Sequence, residues 1–304
     1  MGKNKAVSAA LKISAVILFT SLFSGSAFVT YRSNYYGQCD IPEVAQSFSY
    51  IAAGKDLSLG ILADGSLLAW GFDEYALCDV PEPNCNYVAV DGGWVHCLGL
   101  KSDGSIIAWG YNGYGQCDVP EHEHDFIAVS AGRDHSIGLT TEGSVIAWGS
   151  DRRTEVPLPN SDFIAVSAGW WHTLGLKSDG SIVAWGGQSS GQCDVPQDID
   201  DFVAISAGKE HSLALRSNGS IVAWGLNSSG QCEVPEPNQD FIDVAAGSSH
   251  SLGLKSDGSI VAWGSDDYGQ CDIPSPNINF VAIATFYTHS LGLRSDGSVV
   301  AWSR

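Results

Sequence analysis

Short stretches of alternating apolar and polar residues recur along the chain and are separated by glycine-containing turns. In His250–Trp263, HSLGLKSDGSIVAW, the leucines alternate with small or polar residues, which is the two-residue period of a β-strand. Asp257-Gly258 then predicts a two-residue hairpin turn with positive φ, and SIVAW predicts the returning strand. A third strand is predicted over 241–245, FIDVA. No stretch keeps a helical period, so the pattern predicts an all-β protein.

The same unit occurs seven times in succession. Its Ala-Trp pair recurs at intervals of 39, 39, 37, 39, 39 and 39 residues, with the tryptophans at Trp70, Trp109, Trp148, Trp185, Trp224, Trp263 and Trp302. Seven units of three or four short strands predict a seven-bladed β-propeller. An open β-solenoid is the alternative architecture.

The two ends of the repeat region complement each other. The segment Tyr31–Pro42, YRSNYYGQCDIP, matches Trp109–Pro120, WGYNGYGQCDVP, and the last unit stops at Trp302-Ser303-Arg304. We therefore expect the N-terminal segment to finish the last blade and close the ring, which removes exposed sheet edges.

The first 27 residues differ from the repeats. Three lysines without an acid precede the apolar run Ile13–Phe23, and small residues lead up to Ala27. This pattern predicts a secretory signal peptide over 1–27, with the propeller over 28–304. A membrane anchor is the alternative, but the run is shorter than the roughly 20 residues that span a bilayer. We therefore predict a secreted or periplasmic protein.

The charge balance is strongly acidic. The chain has 15 Lys+Arg against 34 Asp+Glu, a formal charge of −19, which becomes −22 without Lys3, Lys5 and Lys12. Such a charge argues against binding to the phosphate backbone of nucleic acids, which takes most of its contacts from Lys and Arg.

The repeated motif is similar to that of a known family. Gly247–Cys271, GSSHSLGLKSDGSIVAWGSDDYGQC, resembles the regulator of chromosome condensation repeat. The short units and the Val-Pro after Gly-Gln resemble a secreted bacterial subset that includes the propeller-type β-lactamase inhibitory protein. This resemblance implies a seven-bladed propeller that covers a partner enzyme with aromatic loops on one face. The nuclear members of the family imply a second activity, nucleotide exchange on a small GTPase.

Two loops of each unit vary while the strands repeat. The entering loop before the second strand and the leaving loop after the repeated Trp must both lie at the end opposite the Asp-Gly turn, so all seven pairs share one face. Large and charged side chains at these positions predict a protein-binding face. The candidate residues are Trp94, Trp170, Trp171, Phe286, Tyr287, Arg133, Lys55, Lys209, Phe72, Tyr75, Tyr111, Tyr114 and Tyr268. The alternative is that the aromatic side chains fold over the central channel and cap it.

Other candidate chemistry is weaker. Six histidines stand thirteen residues before the repeated Trp, with Leu57 in the first unit, and we expect them to be buried and bonded to backbone. His122 and His124 lie among acids and are weak candidates for a divalent metal. Six cysteines at equivalent positions are expected to be buried small apolar groups. No nucleophile elbow, phosphate loop or zinc-spaced Cys pair occurs, so we expect neither catalysis nor a cofactor.

The sequence therefore predicts a non-catalytic, monomeric propeller that binds a protein partner, with inhibition of a secreted or periplasmic enzyme as its sharpest form. A carbohydrate-binding or carbohydrate-active propeller is the first alternative, because tryptophans also stack on sugars. A guanine-nucleotide exchange factor is the second.

Overall fold

The structure, a computed structural model, describes residues 34–121, 125–150, 153–197 and 199–303. It contains seven antiparallel sheets of three strands each, in chain order, which we number as blades 1 to 7. Within these ranges no helix is long and apolar enough to cross a membrane. The signal peptide predicted over 1–27 lies outside the described residues.

The strands follow the predicted repeat closely. A short 3-10 turn, Glu74–Ala76, follows blade 1. The strand bounds are β1 Phe48–Gly54, β2 Leu57–Leu62 and β3 Leu67–Gly71 in blade 1; β4 Tyr87–Gly92, β5 His96–Lys101 and β6 Ile106–Gly110 in blade 2; β7 Phe126–Ala131, β8 His135–Thr140 and β9 Val145–Gly149 in blade 3; β10 Phe163–Ala168, β11 His172–Lys177 and β12 Ile182–Gly186 in blade 4; β13 Phe202–Ala207, β14 His211–Arg216 and β15 Ile221–Gly225 in blade 5; β16 Phe241–Ala246, β17 His250–Lys255 and β18 Ile260–Gly264 in blade 6; and β19 Phe280–Thr285, β20 Ser290–Arg294 and β21 Val299–Trp302 in blade 7.

The hairpin turns are one residue longer than predicted. Gly258 has φ 80°, but Asp257 is not among the residues with positive φ, so the two-residue turn with positive φ was wrong. The amide of Lys255 donates to the carbonyl of Ser259, which closes a three-residue loop with Gly in the left-handed position. Asp257 accepts from both the amide and the hydroxyl of Ser259. The Asp therefore fixes the turn through its side chain while the Gly supplies the backbone conformation.

Each repeated Trp joins its blade to the preceding loop. The indole of Trp148 donates to the carbonyl of Gln116 at 2.9 Å, and Ser136 donates to the same oxygen at 2.7 Å. The same indole bond recurs for the other six tryptophans, including Trp70 to Gln38 and Trp302 to Gln270. The repeat of this residue therefore reflects a bond between neighbouring blades.

Blades 7 and 1 are joined as the other neighbours are. The amide of Phe48 donates to Gly297 at 3.0 Å, which repeats the bond of Phe126 to Gly104. Seven apolar clusters fill the seven junctions, including one between blade 7 and blade 1. In addition, Cys39 lies 3.4 Å from the hydroxyl of Ser303. These contacts are those that a closed ring requires, with the N-terminal segment lying against the end of the last blade.

The two ends of the disc carry different parts of each blade. The hairpin turns and the starts of the first strands lie at one end, which we call the turn face. The entering and leaving loops lie together at the other end, as the bond from the Phe72 amide to the Asp56 carbonyl shows, and we call it the loop face. The first strands of neighbouring blades contact each other around the axis. The predicted arrangement of the loops is therefore observed.

Candidate protein-binding face

The leaving loops are held by their own repeated residues. In blade 2, Asn112 accepts the amide of Cys117 at 2.8 Å, and the side chain of Gln116 accepts the amide of Tyr114 at 2.9 Å. Gly115 between them has φ 75°, a conformation that favours glycine. The backbone of the loop is therefore fixed, and its remaining side chains are free to vary without loss of shape.

The entering loops bring a group of aromatic rings together. Trp94, Trp170 and Tyr287 come from blades 2, 4 and 7, and their ring centroids lie 4.3 to 5.5 Å apart. Phe286 lies against Trp170 at 6.4 Å. Trp170 is 6% exposed and Phe286 is 7% exposed. Loops from three separate blades thus meet in one cluster, which we call the aromatic cap, and the capping alternative describes these residues.

The predicted cations lie against the rings of this cap. Lys55 lies 4.4 Å from the Trp94 ring, and Lys209 lies 5.1 Å from that of Trp170. The half-buried Trp171 has Arg133 at 4.4 Å and Arg153 at 4.8 Å. Cations at such distances are attracted by the negative ring face. The basic residues of the loop face therefore stabilise the cap.

One acidic side chain, that of Asp134, holds two of these cations in place. Asp134 lies 3.2 Å from Arg153 and 3.5 Å from Arg133. Burial lowers the pKa of Arg153, and Asp134 opposes this effect. Sequence reasoning missed Arg153, which follows Trp148 in the shortened unit. The signal in the sequence was that the unit carrying Arg153 departs from the repeat, since it is two residues shorter than the others.

The exposed aromatic residues form a separate group. Tyr36, Tyr75, Tyr114 and Tyr268 hold the same position in four leaving loops, those that follow blades 7, 1, 2 and 6. Their exposed fractions are 43%, 45%, 57% and 53%. These blades are consecutive around the disc, so the four side chains follow one side of the loop face. We call this group the tyrosine arc.

Further aromatic side chains extend the tyrosine arc. Tyr111 bridges Tyr75 and Tyr114, with ring centroids at 5.1 and 6.2 Å. Phe72 contacts Tyr36 at 4.6 Å, and Tyr35, 85% exposed, contacts Tyr36 at 4.8 Å. Sequence reasoning missed Tyr35 and Tyr36. Their alignment with Gly113 and Tyr114 is the signal in the sequence that could have identified them.

The other side of the loop face carries smaller groups. Ser190 and Ser229 occupy the arc position after blades 4 and 5, and their amides bond to Gln192 and Gln231 as that of Tyr114 does to Gln116. A shallow groove there is lined by Trp171, Gly187, Gln188, Ser189, Lys209 and Glu210. Among the described residues, the exposed aromatic side chains of the loop face therefore lie on one side of it, and the face is asymmetric.

The six repeated histidines link neighbouring blades. Nε2 of His96 lies 2.9 Å from the hydroxyl of Ser136 in the next blade. Because that hydroxyl donates to the Gln116 carbonyl, it accepts the proton from Nε2. The same bond to a Ser or Thr follows His135, His172, His211, His250 and His289. The expected bond to backbone was wrong, because the hydroxyl of the next blade lies within hydrogen-bond distance of Nε2.

One junction lacks this pair on both sides. Blade 1 has Leu57 at the histidine position, and blade 2 has Cys97 at the hydroxyl position. Both side chains are buried and belong to the same apolar cluster. An apolar pair thus replaces a polar pair, and no polar atom is left facing an apolar neighbour.

The remaining candidates have simpler outcomes. His122 and His124 lie outside the described residues. Among the described residues no three His, Cys, Asp or Glu side chains form a group that could hold a metal. All eight cysteines are free thiols. Only Cys39 of the six repeated ones is buried, so the predicted burial was wrong for the other five, which are half-buried. The thiols of these five donate to leaving-loop carbonyls, as Cys117 does to Tyr111.

Comparison with known proteins identifies the repeat. The regulator of chromosome condensation (RCC1) repeat matches residues 87–116, 126–153, 163–192, 202–231 and 241–270. No curated protein sequence matches the chain significantly.

Solved structures with a similar fold include one from a plant and two of a yeast protein. The CRINKLY WD40 ectodomain of the receptor kinase ACR4 from Arabidopsis thaliana matches with a TM-score of 0.70 and 23% identity, over 85% of this chain and 98% of that one. Prp20p from Saccharomyces cerevisiae, described with its binding to Gsp1p and histones, matches with a TM-score of 0.64 and 22% identity, over 73% of each chain. Yeast RCC1 (Prp20) bound to Kap60 matches with a TM-score of 0.64 and 19% identity, over 94% of this chain and 86% of that one. These likenesses show the propeller fold. With its five matched repeats and seven three-stranded blades, the chain belongs to the regulator of chromosome condensation repeat superfamily.

Proposed function

We propose that this chain is a non-catalytic, secreted or periplasmic module that binds a protein partner through the tyrosine arc. The observation that carries the proposal is the run of four half-exposed tyrosines at one loop position on consecutive blades. Exposed tyrosines supply contact area at low entropic cost, because the side chain has two rotatable angles and one polar group.

The composition and stiffness of the leaving loops support this proposal. The loops read SNYYGQ, FDEYAL, YNGYGQ and SDDYGQ, and are rich in the Tyr, Ser, Gly and Asn that antibody loops use for protein recognition. Asn112 and Gln116 hold the backbone before any partner arrives. A preformed surface loses less entropy on binding, which favours affinity.

Enzyme inhibition is the sharpest form of the proposal. It rests on the resemblance to the secreted bacterial subset and on the location of the aromatic side chains on one face. RCC1-type propellers such as Prp20 bind other proteins, which supports a protein partner in general. The aromatic cap would then serve as the floor of the interface, with its members Trp94 and Tyr287 half-buried.

Replacing three tyrosines of the arc tests the proposal. We expect the Tyr36→Ser/Tyr114→Ser/Tyr268→Ser variant to stay folded, because Ser190 and Ser229 occupy the same position after blades 4 and 5. Binding to the cognate enzyme in a panel of secreted and periplasmic enzymes, β-lactamases included, should weaken at least about tenfold. Surface-immobilised wild type and variant provide the measurement.

A matched control uses the other side of the loop face. Ser190→Ala/Ser229→Ala should bind the same enzyme as the wild type does. Equal binding by the triple tyrosine variant, or a matching loss in the serine control, contradicts the proposal.

Carbohydrate binding is a second candidate with its own observation. The groove beside Trp171 combines an aromatic ring with Gln188, Lys209 and Glu210, which are groups that can bond to sugar hydroxyls. A glycan array separates the two candidates. Glycan binding that is lost in Gln188→Ala but kept in the tyrosine variant would favour the groove over the tyrosine arc.

A further inference from the structure

The turn face carries a ring of exposed apolar side chains at one repeated position. Each first strand is irregular directly after its opening aromatic residue, as between Phe126 and Ala128. The residue at this bulge is aliphatic in six blades and Ser49 in blade 1. The six are Val88, Ile127, Ile164, Val203, Ile242 and Val281. We call them the apolar ring.

Four members of the apolar ring are well exposed. Ile127 and Ile242 are 51% and 53% exposed, and Val88 and Val281 are 45% and 41% exposed. Ile164 and Val203 are partly buried and line a groove between blades 4 and 5. Bulges turn a side chain out of the regular pleat, which explains why apolar residues inside strands face water here. Because the first strands contact each other around the axis, the six residues surround it.

Carboxylates surround the apolar ring. The hairpin turn of each blade lies against the start of the next first strand, as the bond from Phe241 to Gly219 shows. Acids therefore stand beside the ring both in the turns and directly before the first strands. They are Asp64, Asp103, Glu142, Asp179, Asp257 and Asp296 in the turns, and Asp125, Asp162, Asp200, Asp201 and Asp240 before the strands. Bonds from Ser105 lower the pKa of Asp103, and equivalent bonds act on Asp179 and Asp257, so these groups are ionised at neutral pH.

The cations near the turn face are fewer than the carboxylates, and each one already contacts a ring or a carboxylate of its own blade. Lys177 lies 4.8 Å from the ring of Phe163, and Lys255 lies 4.6 Å from that of Phe241. Lys101 and Arg294 lie over Tyr87 and Phe280 in the same way. The fifth, Arg216, pairs with Asp201 at 2.8 Å. Each cation is thus folded onto its own blade, and the rim of the apolar ring is negative.

We propose that the turn face is a second interaction surface, which binds a polypeptide segment with an apolar centre flanked by lysines or arginines. The apolar ring would contact the centre, and the acidic rim would contact the flanks. Charge decides against a second copy of this chain, because two turn faces would bring like-charged rims together. This surface is separate from the tyrosine arc, which lies on the opposite face.

A synthetic peptide of about 16 residues, with leucines at its centre and four lysines at each end, is a suitable probe. Labelled with fluorescein, it should bind the full chain with an affinity that falls at high salt, because the rim contacts are exposed charges. The same peptide with glutamates in place of the lysines should not bind.

Serine substitutions test the apolar ring itself. Val88→Ser/Ile127→Ser/Ile242→Ser gives these blades the residue that blade 1 already has at Ser49, so the variant should fold. We expect it to bind the lysine peptide at least about tenfold more weakly than the wild type in fluorescence anisotropy. Tyr114→Ser, on the loop face, is the matched control and should bind as the wild type does. The proposal is overturned by failure of the wild type to bind the peptide, by equal binding of the glutamate peptide, or by equal binding of the serine variant.

Discussion

Acidification from about pH 7.5 to about pH 5 is expected to unfold the protein cooperatively, because six histidines are buried in neutral form between the blades. Burial lowers the pKa of His96, His172 and His250 to about 3 and of His211 and His289 to about 4, and it lowers that of His135 too. Five of the six rings donate from Nε2 to a hydroxyl that itself donates to a carbonyl, as His96 does to Ser136. Nδ1 has no acceptor for the second N–H that protonation would create.

The sign of the effect follows from proton uptake. An unfolded histidine binds a proton below a pH of about 6.5, whereas the folded rings stay neutral down to a pH of about 4. The contribution of these histidines to the stability of the fold is therefore fully present above the unfolded pKa, and it is lost as the pH drops below that value. The loss is about 2 kcal/mol for each histidine at pH 5, or about 10 kcal/mol for the five with a folded pKa of about 3 to 4, and His135 acts in the same direction.

Two carboxylates act in the opposite direction. Burial raises the pKa of Asp91 to about 6, although Ala131 and Ser130 donate to it, and raises that of Asp243 to about 7. The folded state takes up these two protons more readily than the unfolded state, which returns about 3 to 4 kcal/mol at pH 5. The net loss of at least about 6 kcal/mol is comparable with the whole stability of a typical protein.

Circular dichroism and tryptophan fluorescence as a function of pH measure this transition. A matched variant, His96→Leu/Ser136→Cys, reproduces the Leu57–Cys97 pair at the next junction and removes one buried histidine. It should retain about 2 kcal/mol more of its stability at pH 5 than the wild type does, relative to each protein at pH 7.5. A wild type that stays folded at pH 4, or a variant with the same pH profile, contradicts the role given to the histidines.

The sequence predicted the parts of this protein that repeat. The period of the tryptophans and the Asp-Gly turns indicated seven β-blades and placed the variable loops on one face, as observed. The length of the hairpin turn and the partner of the histidines were predicted incorrectly. Both depend on hydrogen bonds, within the turn or between neighbouring blades, that alternation of apolar and polar residues does not encode.

The burial of individual loop residues could not be predicted from the sequence either. Trp170 and Trp171 are adjacent, yet Trp170 is buried in the aromatic cap while Trp171 is half-buried between Arg133 and Arg153. Which of two neighbours turns towards the axis depends on the rings that blades 2 and 7 place there. In contrast, all four positions of the tyrosine arc could have been identified from the sequence, since Tyr36 aligns with Tyr114.

Leu57 and Cys97 should behave as a matched pair, in which replacing either residue alone by the His or Ser of the other junctions lowers the stability of the protein. Leu57→His would place an imidazole opposite the thiol of Cys97, a weak acceptor, in a fully buried site, and we expect a loss of about 3 kcal/mol. Cys97→Ser would place a hydroxyl beside Leu57, but this hydroxyl can donate to the carbonyl of Leu77, which already accepts from Trp109. We expect it to cost about 1 kcal/mol.

The double variant Leu57→His/Cys97→Ser should recover about half of the summed loss of about 4 kcal/mol, because it recreates the pair that the six other junctions use. The coupling energy in the double-mutant cycle should be about 2 kcal/mol in favour of the pair, measured by urea unfolding at pH 7.5 with unchanged slope. Single effects that simply add would show that the two positions do not interact across the blade junction. The double variant also carries a seventh buried histidine, so it should lose about 2 kcal/mol more than the wild type at pH 5. The cycle at neutral pH and the profile at acid pH therefore test the same contact through two independent properties, its pairing and its protonation.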